Sequence, residues 1–197
     1  MGICNNRVVI ITGAGGGLGA AHAKVFAAEG ASVVVNDINE AAAQKVVDEI
    51  TAAGGKAVVN TSDITNYDDS LNAVKQAIDT FGDLHIVLNN AGVNRDRMFA
   101  SMTEAEWDTI MAVHLKGHFC ITSHSVHYWR AKSKEGKPVD ARIINTTSGA
   151  GLQGSIGQSN YAAAKAGIAA LTLNQGAELA RYGITANAVA PAARTNM

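Results

Sequence analysis

Six short runs rich in β-branched residues alternate with helical stretches, the first run breaks into a glycine-rich loop, and no repeat or linker interrupts the alternation. These observations predict a single α/β domain over residues 1–197, built on a doubly wound parallel sheet. A chain of 197 residues suits one domain. With 47% hydrophobic and 17% charged residues, the composition is that of a compact globule rather than a disordered chain. The formal charge of −1 supplies no long-range field for nucleic acid or anionic lipid, so neither partner is expected. No apolar run approaches membrane-spanning length. Cys4 and Cys120 cannot build a disulfide framework, no paired Cys/His spacing suggests a metal, and the N-terminus lacks the apolar core of a leader. A cytoplasmic protein with no metal site is the expectation.

The elements follow in order. Arg7–Ile11 is a strand that runs into Thr12-Gly13-Ala14-Gly15-Gly16-Gly17-Leu18-Gly19, after which an Ala-rich helix begins. Such a loop lets the backbone approach a ligand, and the following helix start offers free N–H groups to a pyrophosphate, giving a Rossmann-like expectation. The second strand, Ala31–Asn36, ends at Asp37, an acid placed to bind adenosine ribose hydroxyls and repel a 2′-phosphate, which favours NAD over NADP. A helix over 39–53 closes at Gly54-Gly55, and strand Lys56–Asn60 leads to Asp63-Ile64. Leu71, Val74, Ile78 and Phe81, three and four apart, predict the buried stripe of a helix ended by Gly82. Strand His85–Leu88 delivers Asn89-Asn90-Ala91-Gly92 at its carboxyl end, where ligands sit in open parallel sheets.

Thr103 and Glu106 form a capping box, predicting a long helix towards Tyr128 or Arg130 that crosses His114 and His118. These histidines lack the acid or cysteine that would complete a metal set. A polar loop spans Lys132–Pro138, and the fifth strand, Arg142–Thr146, feeds a loop carrying Ser148. A helix from Ser159 to about Tyr182 carries Tyr161 and Lys165, and Ile184–Val189 is the sixth strand. Tyr161 and Lys165 lie one turn apart on one helix face, where an ammonium favours ionisation of a phenol. Ser148 could hydrogen-bond the oxygen that exchanges that proton. Alone, the Tyr-x-x-x-Lys spacing is ordinary helix surface; its place after the fifth strand, facing a nucleotide cleft, makes it a candidate acid–base site.

Over essentially the whole chain these residues resemble the short-chain dehydrogenase/reductases. The resemblance rests on Thr12-Gly-x-x-x-Gly-x-Gly19, Asp63, Asn89–Gly92, Ser148 with Tyr161 and Lys165, and Asn187-Ala188-Val189-Ala190-Pro191. It implies an NAD-dependent oxidoreductase that interconverts a secondary alcohol and a ketone. Tyr161 would be the general acid or base, Lys165 would assist it and hold the nicotinamide ribose, and Ser148 would orient the substrate oxygen. Cofactor contacts would come from Gly13, Gly17, Leu18, Gly19, Asp37, Asp63, Ile64, Asn90, Ala91, Gly92, Tyr161, Lys165 and Thr195. Two departures stand out. His114 occupies the place of the family's fourth catalytic residue, an asparagine, and Pro191-Ala192 replaces Pro-Gly.

The run Val113-His114-Leu115-Lys116-Gly117-His118-Phe119, with the Asn94–Phe99 segment, is similar to the (3R)-hydroxyacyl-CoA dehydrogenase domain of peroxisomal multifunctional β-oxidation enzymes and their bacterial single-domain relatives. That likeness implies a 3-hydroxyacyl-CoA substrate, with a 17β-hydroxysteroid as the alternative and a non-catalytic NAD-binding scaffold as a second alternative. Arg95 and Arg97 would suit a CoA phosphate, or be solvated or ion-paired arginines. Relatives continue after Thr195 with a substrate-covering helix pair and a seventh strand, so these are expected to lie outside the chain. A homodimer or homotetramer is expected from the resemblance.

Overall fold

The computed structural model describes residues 2–192. Strands β1 (Val8–Thr12), β2 (Ser32–Asn36), β3 (Lys56–Asn60), β4 (Ile86–Asn89), β5 (Ala141–Thr146) and β6 (Ile184–Val189) form one parallel sheet in the order β3-β2-β1-β4-β5-β6. The strand order reverses between β1 and β4, so a crevice opens beyond their carboxyl ends. Both faces of the central strands are covered, which is why their sequences are continuous β-branched runs rather than alternating ones. Val9, Ile11, Val33 and Val35 pack against helices α1 (Gly17–Ala28) and α2 (Glu40–Ala52). On the other face, Val8, Ile10, Val34 and Ile143 pack with α3 (Tyr67–Phe81) and with Ile121 and Trp129. None of the described helices is long and apolar enough to cross a membrane.

Three helical expectations are corrected. In α3, Val74 is fully buried but Leu71, Ile78 and Phe81 are only half-buried. Ser70, Ala73 and Ala77 make the closest approach instead, because small side chains let the helix sit near the sheet and leave the large ones to flank it. The long helix after the Thr103–Glu106 capping box is α4 (Glu104–Ile110), a wide π turn over Met111–Lys116, and α5 (Gly117–Lys134). α5 therefore takes in the start of the expected polar loop. The segment after Ser148 forms a short helix, α6 (Gly149–Gln153), before α7 (Ser159–Leu179). β3 and β6 are the edge strands of the sheet among the described residues.

Candidate active site

Main-chain bonds build the floor of the cleft. Gly13 takes φ +62°, and a Cβ there would collide with the Ala91 backbone. A Cβ at Gly19 would strike the Gly13 carbonyl and the Asn90 amide. These close approaches join two loops: Asn90 Nδ2 donates to the carbonyls of Thr12 (3.1 Å) and Gly13 (3.2 Å), while Asn90 and Ala91 N–H donate to Thr12 Oγ1 (3.0 and 3.1 Å). Gly16 stands at the N-cap of α1 without a side-chain cap, so the first turn keeps amide donors for an anion. Asp37 accepts from Gly15 N–H (3.0 Å) and Asn39 N–H (2.9 Å), which aligns its carboxylate beside the glycine loop. The resulting cleft has a volume of about 480 Å³. Its lining includes Gly13, Gly17, Leu18, Asp37 and Asn90 at one end and Ser148, Tyr161 and Lys165 at the other.

Lys165 is the most constrained side chain of the site. It is 2% exposed, its Nζ donates to the Thr146 carbonyl at 2.6 Å, and it lies 5.5 Å from the centroid of the Tyr161 ring. Burial penalises the ammonium and pushes its pKa down to about 8. Ser148 caps α6, accepting from Ala150 N–H at 3.2 Å, which leaves the hydroxyl its own proton. Asn160 is fully buried and went unnoticed in the sequence. Its Oδ1 accepts from Tyr161 N–H (2.7 Å), and its Nδ2 donates to the carbonyls of Arg95 (3.2 Å) and Glu106 (3.3 Å), fixing the start of α7.

His114 is enclosed behind Tyr161. Its ring meets the Tyr161 ring edge-on at 5.1 Å, and Nε2 lies 2.8 Å from the Val93 carbonyl and 3.1 Å from Val93 N–H. The close approach of Gly92 makes room for it, since a Cβ there would meet the imidazole. Burial, with the Lys165 charge second, lowers its pKa to about 4. His118, one turn on, is also fully buried and held well below its ordinary range by burial, then by Lys165 and His114. Neither of its ring nitrogens has a well-formed hydrogen bond among the described residues. Among those residues no three His, Cys, Asp or Glu side chains gather in a metal-holding group.

The remaining candidates differ in their relation to the cleft, and Gly92 lines it. Gly19 and Ala91 support the floor through their backbones. Asp63 is exposed and accepts from Thr65 N–H and Oγ1 (both 2.8 Å), while Ile64 is buried beneath Gly117; neither side chain lines the cleft. Thr195 lies outside the described residues.

The neutral histidines predict a pH response. Unfolded His114 takes up a proton below pH ~6.5 and folded His114 only near 4, so the unfolded state binds more protons in that window and stability falls as pH drops through it. Titration across that whole window corresponds to about 3 kcal/mol. Urea unfolding at pH 7 and pH 4.5 should show a smaller loss for His114→Asn than for the wild type; an equal loss would remove His114 from this role.

Residues 7–197 match the short chain dehydrogenase family, and the chain belongs to it. It is 50% identical over 200 residues to the hydroxyacyl-CoA dehydrogenase ChsB1 of Mycobacterium tuberculosis, covering 98% of this chain and 63% of that protein. It is 44% identical over 201 residues to the peroxisomal hydratase-dehydrogenase-epimerase of Saccharomyces cerevisiae, covering 98% of this chain and 21% of that protein. The chain thus spans less than two thirds of either relative. A crystal structure of a short chain dehydrogenase from Mycobacterium avium matches with a TM-score of 0.96 at 58% identity, covering 98% of this chain and 72% of that one. Family and fold together imply a nicotinamide cofactor. The cradle at Gly13 and Gly19, which a Cβ would fill, and the uncapped start of α1 fit a pyrophosphate.

Proposed function

We propose that the chain is an NAD-dependent oxidoreductase interconverting a secondary alcohol and a ketone, with 3-hydroxyacyl-CoA and 3-oxoacyl-CoA as the pair. The observation that carries the reading is the convergence of Ser148, Tyr161 and the buried Lys165 at one end of a dinucleotide-type cleft. The substrate class is supported by the name of the M. tuberculosis relative. A single dinucleotide-binding domain over residues 1–197, in a cytoplasmic homodimer or homotetramer, completes the proposal and rests on the family resemblance.

In this mechanism Gly13, Gly17, Leu18, Gly19 and Asn90 hold the dinucleotide backbone, and Asp37 holds the adenosine ribose. Hydride exchange is the chemistry that the nicotinamide supplies when bound. Ser148 donates its free hydroxyl proton to the substrate oxygen and so orients it. Tyr161 removes the alcohol proton during oxidation and returns it during reduction. Lys165 places a positive charge beside that phenol, and its two remaining ammonium protons are free for ribose hydroxyls. His114 positions Tyr161 by packing its ring edge between the phenol and the Val93 main chain.

Steady-state assays of 3-hydroxyacyl-CoA beside 17β-hydroxysteroids, each with NAD and NADP, test the proposal. Turnover of the thioester with NAD is expected, and turnover of the steroid alone would reverse the substrate assignment. Asp37→Asn keeps the side-chain shape and removes the repulsion of a 2′-phosphate, so its NADP-to-NAD ratio of kcat/KM should rise about tenfold, equivalent to ~1.4 kcal/mol. Comparable use of both cofactors by the wild type would remove this role from Asp37.

A further inference from the structure

Arg95 and Arg97, neighbours in sequence, have different surroundings. Arg97 donates Nε and Nη2 to Glu106 Oε1 at 3.1 and 2.9 Å, so its charge is neutralised in place. Arg95 is exposed, donates Nη1 only to the adjacent Asn94 carbonyl (2.8 Å), and has no carboxylate partner among the described residues. Its main chain is nevertheless anchored. The Arg95 carbonyl accepts from Asn160 Nδ2, Arg97 N–H donates to the Gly157 carbonyl at 2.7 Å, and Gln158 Nε2 donates to Asp96 Oδ2 at 3.0 Å. These bonds join the segment after β4 to the start of α7, just ahead of Tyr161, and Asn94 and Gln158 line the cleft there.

The outer surface of this seam carries four exposed apolar side chains. Met98 is 60% exposed, Phe99 75%, Ile156 90% and Leu152 64%. Single exposed apolar residues are ordinary, but four on two joined segments at a cleft mouth form a patch of the kind that takes a ligand or partner. An unpaired guanidinium at its border adds a preference for phosphate. With a net charge of −1, the chain has no general attraction for a polyanion, so a local cation must supply it.

We propose that the rim formed by Arg95, Met98, Phe99 and Ile156 seats the carrier arm of a coenzyme A thioester, with the pantetheine chain on the apolar side chains and a phosphate on Arg95. The proposal rests on the acyl-CoA reading of the substrate above. It commits to a thioester because the two segments that carry these side chains also carry Asn94 and Gln158, which line the cleft with Tyr161, and because Arg95 has no carboxylate partner among the described residues.

The test compares 3-hydroxybutyryl-CoA with its N-acetylcysteamine thioester, which keeps the reacting end and lacks the phosphates, on the full-length protein. Arg95→Glu should lower the ratio of kcat/KM for the CoA ester over the truncated ester about tenfold, the scale of one charge-assisted hydrogen bond, mainly through KM. It should also flatten the salt dependence of KM for the CoA ester, and Arg95→Lys should recover most of the ratio. An unchanged ratio in Arg95→Glu, or equal losses on both esters, overturns the proposal while the functional reading stands. Ile156→Arg tests the apolar part: a changed oligomeric mass with an unchanged ratio means that protein covers the rim, which also overturns it. Wild-type protein that oxidises neither ester but does oxidise a hydroxysteroid overturns the functional reading and this proposal with it.

Discussion

Replacing Tyr161 by Phe is expected to lower kcat by about 10²- to 10⁴-fold, the range supplied by a positioned general acid or base. The substitution removes one oxygen and keeps the ring. The edge contact with His114 at 5.1 Å and the packing of α7 therefore remain. Cofactor affinity, read by quenching of intrinsic fluorescence or by calorimetry, should change little, because the glycine loop and Asp37 are untouched. A loss of cofactor binding equal to the loss of rate would mean that Tyr161 holds the nucleotide rather than moving a proton. An unaltered rate would remove it from the chemistry.

Lys165→Met is expected to separate activity from stability. Burial drives the Lys165 pKa from 10.5 to about 8, so keeping the ammonium protonated at neutral pH costs the folded state about 3 kcal/mol. The folded pKa lies below the unfolded one, so this cost is complete below pH 8 and fades as pH rises towards 10.5. Methionine has similar length and no charge. It leaves the Thr146 carbonyl without its 2.6 Å donor, a loss of about 1 to 2 kcal/mol. The balance predicts unfolding stability that is unchanged or up to about 2 kcal/mol higher. kcat/KM should fall by about 10²-fold or more, because the charge beside Tyr161 and the ribose donors disappear together. Such a pairing is expected of a group retained for function at the expense of stability. A variant that lost stability and activity in proportion would instead mark Lys165 as a structural residue.

The parts of this site legible in the sequence are those whose cause is local. A strand that buries both faces needs an unbroken β-branched run, as in Val8-Val9-Ile10-Ile11, and a backbone that must approach a phosphate needs glycine at positions such as 13 and 19. The spacing of Tyr161 and Lys165 follows from the helix period alone. What stayed hidden depends on distant contacts. Asn160 is one amide among several until its partners Arg95 and Glu106, 65 and 54 positions away, come beside it. The π turn around His114 has no propensity signature of its own, and the ring it carries is fixed by Val93, 21 residues earlier. Asp63 shows the opposite case: a carboxylate in a familiar position whose Oδ1 caps the turn at Thr65. Arg95 and Arg97 look equivalent until Glu106 takes one of them.

The measurement that bears most directly on the central claim is the formation of reduced nicotinamide when the full-length protein is mixed with NAD and 3-hydroxyacyl-CoA, followed beside the Tyr161→Phe variant at matched cofactor saturation. Sustained turnover by the wild type, with one ketone formed per reduced nicotinamide and a collapse in the variant, is the predicted result. Saturable binding of NAD without turnover of any secondary alcohol, or equal rates for the two proteins, would contradict the account.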